Sequence, residues 1–199
     1  MKKISKETYV VFDLETTGLN VNEGDSIIEV GAVKISNGKI IDRFDELINP
    51  GKLLDPKITE ITCITDEMLK DKLTEKEAII KFINWCDNLP LVAHNAHFDL
   101  SFLEMACLKY NLGRLKNTII DTLGLSRYLE SHEKYHNLAT LVKRYNITWD
   151  ENKHHRADYD SEGTALIFYK MLKKLELNDI NNLLELAKNP AIVLKYNNI

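Results

Sequence analysis

The chain has 199 residues, 44% of them hydrophobic and 28% charged, the composition of one globular domain long enough to bury a substantial core. No run of about 18 apolar residues is present to span a bilayer, and Cys63, Cys86 and Cys107 are too few and too far apart for a disulfide framework or a zinc knuckle. The formal net charge of −4 argues against tight, sequence-specific duplex binding, which calls for a basic face.

Residues 8–12, Thr-Tyr-Val-Val-Phe, are β-branched and aromatic and read as a buried strand running straight into Asp13. This apolar run is short and ends in acids, so it is a strand and not a secretory signal; a cytoplasmic protein is expected. Residues 27–35 form a second strand, Asn37-Gly38 a hairpin turn, and residues 39–47 a third strand, giving an antiparallel meander. Asn49-Pro50-Gly51 then breaks the chain.

Helical patterns follow. Thr74 and Glu77 make a capping box that opens a helix with Ile79, Ile80, Ile83 and Cys86 on one face, ended by Asn88-Leu89-Pro90. Residues 91–93 are a short buried strand, residues 98–110 a helix, residues 118–120 another short strand. Helices are expected over residues 122–129, 137–145 and 159–175. Three antiparallel strands followed by strand–helix alternation predict an α/β protein with one mixed sheet and helices on both faces. Past Leu175 the chain turns asparagine-rich, with a helical pattern near residues 180–187 and an apolar Ile192-Val193-Leu194. One domain is therefore expected over residues 1–175, with residues 176–199 as a helical or extended tail. The three cysteines are expected as buried, reduced thiols.

Three segments carry chemistry. Asp13 and Glu15, at positions i and i+2, share one face at the end of the first strand. Two acids buried there repel, at a cost of several kcal/mol unless a cation compensates; the plainer reading is a solvated strand end. Asp99 opens the helix that follows His94-Asn95-Ala96-His97-Phe98, where the macrodipole alone explains an acid. His154-His155-Arg156-Ala157-Asp158-Tyr159-Asp160 leads into the last helix, and Asp158 suits its cap.

In this order and spacing the segments resemble the three motifs of the DnaQ-like (DEDD with histidine) 3′→5′ exonuclease family: D-x-E, H-N-x-x-F-D and H-x-x-x-x-D. The third spacing selects His155 with Asp160 and leaves Asp158 out. The resemblance covers residues 8–175. It implies a ribonuclease H-like mixed five-stranded sheet, three strands antiparallel and then two parallel, flanked by helices. It assigns Asp13, Glu15, Asp99 and Asp160 as ligands of two divalent cations, Mg²⁺ or Mn²⁺, and His155 as general base. It further implies that Thr16 holds the terminal 3′-OH, that Leu19 wedges against the last bases, and that Asn95 and Phe98 line the pocket. The chemistry is coherent. Carboxylate oxygens suit hard cations, two such ions about 3.5–4 Å apart serve an in-line displacement, and a histidine near pKa 6.5 suits proton removal. Two divalent cations would also bring the net charge to about zero where a phosphate sits.

TYVVFDLETTGLN, NGKIIDRF, ITCITDEML, LVAHNAHFD, IIDTLGLSRYL and HHRADYDSEGT are similar, more closely, to the proofreading exonuclease domain of the Gram-positive-type DNA polymerase III alpha subunit. That implies single-stranded or frayed 3′ ends of DNA as substrate, release of nucleoside 5′-monophosphates, a polymerase domain or subunit as partner, and a tail leading toward a longer polymerase chain. Cys63 stands where such relatives often carry glycine, and Gly163 replaces a more usual alanine, at about 1 kcal/mol in helix propensity. Two alternatives are an RNA-directed exonuclease of the same family and a catalytically dead nucleic-acid-binding module. Thr16, where oligoribonucleases carry methionine, weighs against the first, and the intact acids and histidine against the second. His132-Glu133-Lys134-Tyr135-His136 matches H-E-x-x-H but reads as a polar loop with no third ligand. His94 is expected to make structural hydrogen bonds, Asp121 to start a helix, and Lys143, Arg144, Lys170, Lys173 and Lys174 to be solvated.

Overall fold

The computed structural model describes residues 3–148 and 156–194. β1 (Thr8–Thr16), β2 (Ile27–Ser36) and β3 (Lys39–Asn49) pair antiparallel, with Asn37 and Gly38 both at positive φ in the turn between β2 and β3, as the Asn-Gly pair demands. β5 (Leu91–Ala93) pairs parallel with β1, and β6 (Ile119–Asp121) parallel with β5. These are the five expected strands. Two more, β4 (Leu73–Thr74) beside β3 and β7 (Val193–Leu194) beside β6, extend both edges. Among the described residues the sheet therefore has seven strands, in the order β4-β3-β2-β1-β5-β6-β7. A strand of two residues is too short to leave a period-two pattern.

Alternation along β1 divides the core. Val10, Phe12 and Leu14 face a layer containing Phe82 of α3 (Glu75–Cys86) and Leu100 and Leu103 of α4 (His97–Lys109). Tyr9 and Val11 face a second layer built from α5 (Thr122–Leu129), α6 (Leu138–Arg144) and α7 (Ala157–Leu177), where Tyr9 meets Phe168 edge to face at 5.0 Å. The expected capping box opens α3, with Glu77 N–H donating to Thr74 Oγ1 and Thr74 N–H to Glu77 Oε2.

Two short helices, α1 (Pro56–Thr62) and α2 (Asp66–Leu69), lie between the break at Asn49-Pro50-Gly51 and the Thr74 capping box, where the sequence predicts no element. They cover a small apolar cluster of Ile28, Leu54, Ile64 and Leu69. At seven and four residues neither is long enough to show a helical period. Cys63 ends α1 in the left-handed conformation, φ 58° and ψ 11°, which explains why glycine suits that position. It is also exposed, contrary to the expectation of burial, whereas Cys86 and Cys107 are buried.

Past α7 the chain folds back onto the sheet. Leu186 of α8 (Leu183–Leu186), Ile192 and Val193 join the α7-side core. Ile4 N–H donates to the carbonyl of Asn181 at 2.9 Å and Asp121 N–H to that of Ile192 at 2.7 Å. Gly124 admits this return: a Cβ there would lie 1.7 Å from the Ala191 carbonyl oxygen. No helix among the described residues is long and apolar enough to cross a membrane.

Candidate active site

The apolar run of β1 ends at Phe12, and the next two residues on the α7-facing side are Asp13 and Glu15. Asp160 sits in the first turn of α7. One carboxylate oxygen from each of Asp13, Glu15 and Asp160 lies within 4.8 Å of the others, the first two half-buried and Asp160 buried. Asp99, in the first turn of α4 and only 3% exposed, is outside this trio but near enough that its charge acts on Asp13. Its Oδ1 accepts the Leu14 N–H at 3.1 Å, so it is tied to the β1 backbone between Asp13 and Glu15.

Electrostatics follow from crowding. Burial pushes the Asp13 carboxyl well above its ordinary range, and Asp99, Glu15, Asp160 and Glu29, acids all, push it further. Glu15 is pushed up to about 8, first by burial and then by Glu29, Asp160 and Asp99, with Arg156 opposing. Asp99 is raised to about 8 by burial, against the hydrogen bonds it accepts from its own N–H and from Leu14. Near neutral pH such a cluster holds protons unless positive charge is brought in to offset the mutual repulsion of its carboxylates. Its donors are hard carboxylate oxygens within reach of one centre, so the residues fit a hard divalent cation rather than a soft metal.

The helix that brings Asp160 here is held by a residue not anticipated in the sequence. Glu29 lies opposite Glu15 in the β1–β2 register and is completely buried. Its Oε2 accepts the Ala157 N–H at 2.9 Å, while Arg156 donates to its carboxylate from Nε at 3.0 Å and from Nη2 at 2.5 Å. The one available signal was an acid interposed in a mostly apolar strand that also carries Lys34.

Asp121 does more than start a helix. Oδ1 accepts from Leu123 N–H at 3.0 Å, Asn95 N–H at 3.0 Å and Ala96 N–H at 3.2 Å, and Oδ2 from Gly124 N–H at 3.2 Å. One buried carboxylate thus caps α5 and holds the β5–α4 loop, where Asn95 is exposed and left-handed at φ 62°. Phe98 is half-buried with its ring 5.1 Å from that of Phe102. Because β1 and β5 run parallel, residues 16–19 at the end of β1 and residues 95–98 at the junction of β5 with α4 lie at the same C-terminal end of the sheet. Thr16 is buried with its hydroxyl donating to the Gly18 carbonyl at 2.6 Å, and Leu19 is 86% exposed.

His155 and His154 lie outside the described residues. His94 Nδ1 is 2.9 Å from Thr122 Oγ1, a structural hydrogen bond. Residues 132–136 are not helical, and His136 instead pairs with Ser126 Oγ at 3.0 Å, so the H-E-x-x-H pattern does not present two ligands on one helical face. Several cations expected to be solvated are in ion pairs: Arg144 and Lys174 with Glu130, and Lys173 with Glu176.

The family model described as Exonuclease matches residues 10–168. The chain is 42% identical over 187 residues to "DNA polymerase III PolC-type" of Staphylococcus epidermidis, covering 94% of this chain and 13% of that protein. It is 47% identical over 171 residues to the protein of the same description from Bacillus subtilis, covering 85% of this chain and 12% of that one. The chain thus spans about an eighth of the length of the curated relatives it matches. Among solved structures, exonuclease X in complex with 5′ overhanging duplex DNA superimposes with a TM-score of 0.64 at 27% identity, covering 83% of this chain and 91% of that one.

Proposed function

The chain belongs to the DnaQ-like (DEDD) 3′→5′ exonuclease family, homologous to the exonuclease domain of PolC-type polymerases, and from that premise we propose that it removes nucleotides singly from DNA 3′ ends as a proofreader. The observation that carries this reading is the convergence of Asp13, Glu15 and Asp160 within 4.8 Å, with Asp99 beside them. We assign these four acids as the ligand set. Divalent cations held there would neutralise the phosphate and stabilise the attacking and departing oxygens. His155, preceding the residue that caps α7, is assigned to take the proton of the attacking water. Thr16, Leu19, Asn95 and Phe98 are assigned to the terminal nucleotides, an assignment supported by the shared C-terminal end of the parallel strands β1 and β5 that they follow.

DNA as substrate is supported by the identity to polymerase III proteins and by the likeness to an exonuclease solved on duplex DNA. A frayed or single-stranded end suits a site that needs the last phosphate unpaired. Residues 176–199 are proposed to lead toward a longer polymerase chain, which would be the partner delivering the 3′ end. That role would place the protein in the cytoplasm.

The test is digestion of 5′-labelled DNA and RNA oligonucleotides, matched or mismatched at the 3′ end, in Mg²⁺, Mn²⁺ or EDTA. A one-nucleotide ladder, faster on mismatched DNA and absent with EDTA or Asp13→Ala, is expected. A ladder mainly on RNA would overturn the substrate assignment, and no digestion under either metal would leave a binding module. His155→Ala is expected to lose most activity while still binding Mn²⁺.

A further inference from the structure

We infer that Glu29 and Arg156 are positioning residues for Asp160: the strand carries the N-terminal cap of the helix that brings this acid to the site. The inference rests on the reading of the acidic cluster as a metal centre. A helix leaves its first N–H groups without partners, and a side chain of its own N-cap residue usually satisfies one. The N-cap residue of α7 is Arg156, whose side chain makes no such bond. The acceptor comes from another element instead. Glu29 of β2 takes the first helical N–H, that of Ala157, at 2.9 Å, and its negative charge sits at the positive end of a 21-residue helix. The same carboxylate accepts from the Arg156 guanidinium through Nε and Nη2, both on Oε1, charge-assisted bonds stronger than neutral ones.

Register turns this docking into control of the site. Across β1 and β2, Glu15 faces Glu29 and Asp13 faces Gly31. Gly31 lets the helix start lie directly on the strand: a Cβ there would fall 2.0 Å from Ala157 C and from Asp158 N, backbone atoms that cannot swing away. The two β2 residues opposite the two β1 acids are therefore those that seat the first turn of α7. Asp160 lies three residues past Ala157 in that turn. Its distance from Asp13 and Glu15 is set by the seat, and the interior of Glu29, at 0% exposure, leaves no water to substitute for the lost partner.

Glu29→Gln keeps the shape and an acceptor for Ala157 but removes the charge that orients Arg156. The experiment compares wild type, Glu29→Gln, Asp160→Asn and the double variant by calorimetric Mn²⁺ titration. Thermal melts and hydrogen exchange of residues 157–160 in EDTA accompany it. Glu29→Gln is expected to weaken Mn²⁺ binding about tenfold, the range for groups that orient a ligand, and to speed exchange in that turn. In the Asp160→Asn background the same change should cost less than about twofold, since the ligand it positions is gone. Arg156→Lys, which keeps the charge without the fork, should give an intermediate loss and serves if Glu29→Gln fails to fold. Unchanged Mn²⁺ affinity, or an equal loss in both backgrounds, overturns the inference while leaving the exonuclease reading intact. Normal coupling in a protein that digests no DNA would do the reverse. If wild type binds no Mn²⁺, the metal-centre reading falls and the inference falls with it.

Discussion

Asp99 holds β1 by its main chain: its Oδ1 accepts the Leu14 N–H at 3.1 Å, between the two acids it is proposed to work with. One oxygen is thereby engaged in fixing α4 against the strand end. Asp99→Asn keeps an acceptor for Leu14 and should leave the melting temperature of the metal-free protein unchanged or raised, while activity falls by about a thousandfold or more. Asp99→Ala should lose the same activity and also about 1–3 kcal/mol of stability, because a buried N–H is orphaned. Equal melting temperatures for the two variants would show that the Leu14 bond contributes nothing.

The raised acids make metal-free stability pH-dependent in a stated direction. Glu15 and Asp99 titrate near 8 in the folded protein, against 4.5 and 3.8 as their ordinary values. Between those limits the folded chain holds protons that the unfolded chain has released, so stability falls as pH rises and the full cost is reached above about 8. In EDTA the melting temperature should drop by about 5 °C or more from pH 5.5 to 8.5. Mg²⁺ should restore it, with a larger gain at pH 8.5, and Glu15→Gln should flatten the slope. A metal gain equal at both pH values would contradict the account.

Asp121 ties the Asn95–Ala96 loop to the start of α5 through four N–H bonds. An asparagine there has one acceptor oxygen and turns an N–H₂ toward one donor cluster. Asp121→Asn should cost about 2–3 kcal/mol and lower kcat through the loop that leads into Asp99. A variant with wild-type melting and wild-type kcat would remove Asp121 from this role.

Leu19 is 86% exposed and contributes little to the fold. Leu19→Ala should shift stability by less than about 0.5 kcal/mol. If the side chain packs on the last bases, KM for a DNA end should rise about tenfold, the worth of one buried leucine contact. An unchanged KM would take Leu19 out of the substrate site.

Much of the site was legible before any fold. Period two put Asp13 and Glu15 on one face, and an apolar run followed by acids marked the strand end that bears them. Asn37-Gly38 announced the hairpin, and Thr74 with Glu77 announced the start of α3. The spacing of the third motif selected Asp160 over Asp158, and it is Asp160 that reaches the other acids. Glu29 and Arg156 were not legible. In the sequence Glu29 is merely an acid in a strand, and only its partner across the fold gives it a task.

The sequence by itself determined which residues share a face, where elements start, and which residue types are available for hard-cation chemistry, because these depend on backbone period and local hydrogen bonding. Tertiary structure decided the pairings between distant positions. Asp99 and Leu14 are 85 residues apart in the chain, and Glu29 and Ala157 are 128 apart. It also decided that β4 and β7 exist as strands, since two residues become a strand only when an edge is there to receive them. The physical reason is common to all of these: a local pattern reports orientation, whereas distance between remote segments is fixed by packing, here by a glycine at position 31 that lets a helix rest on a strand.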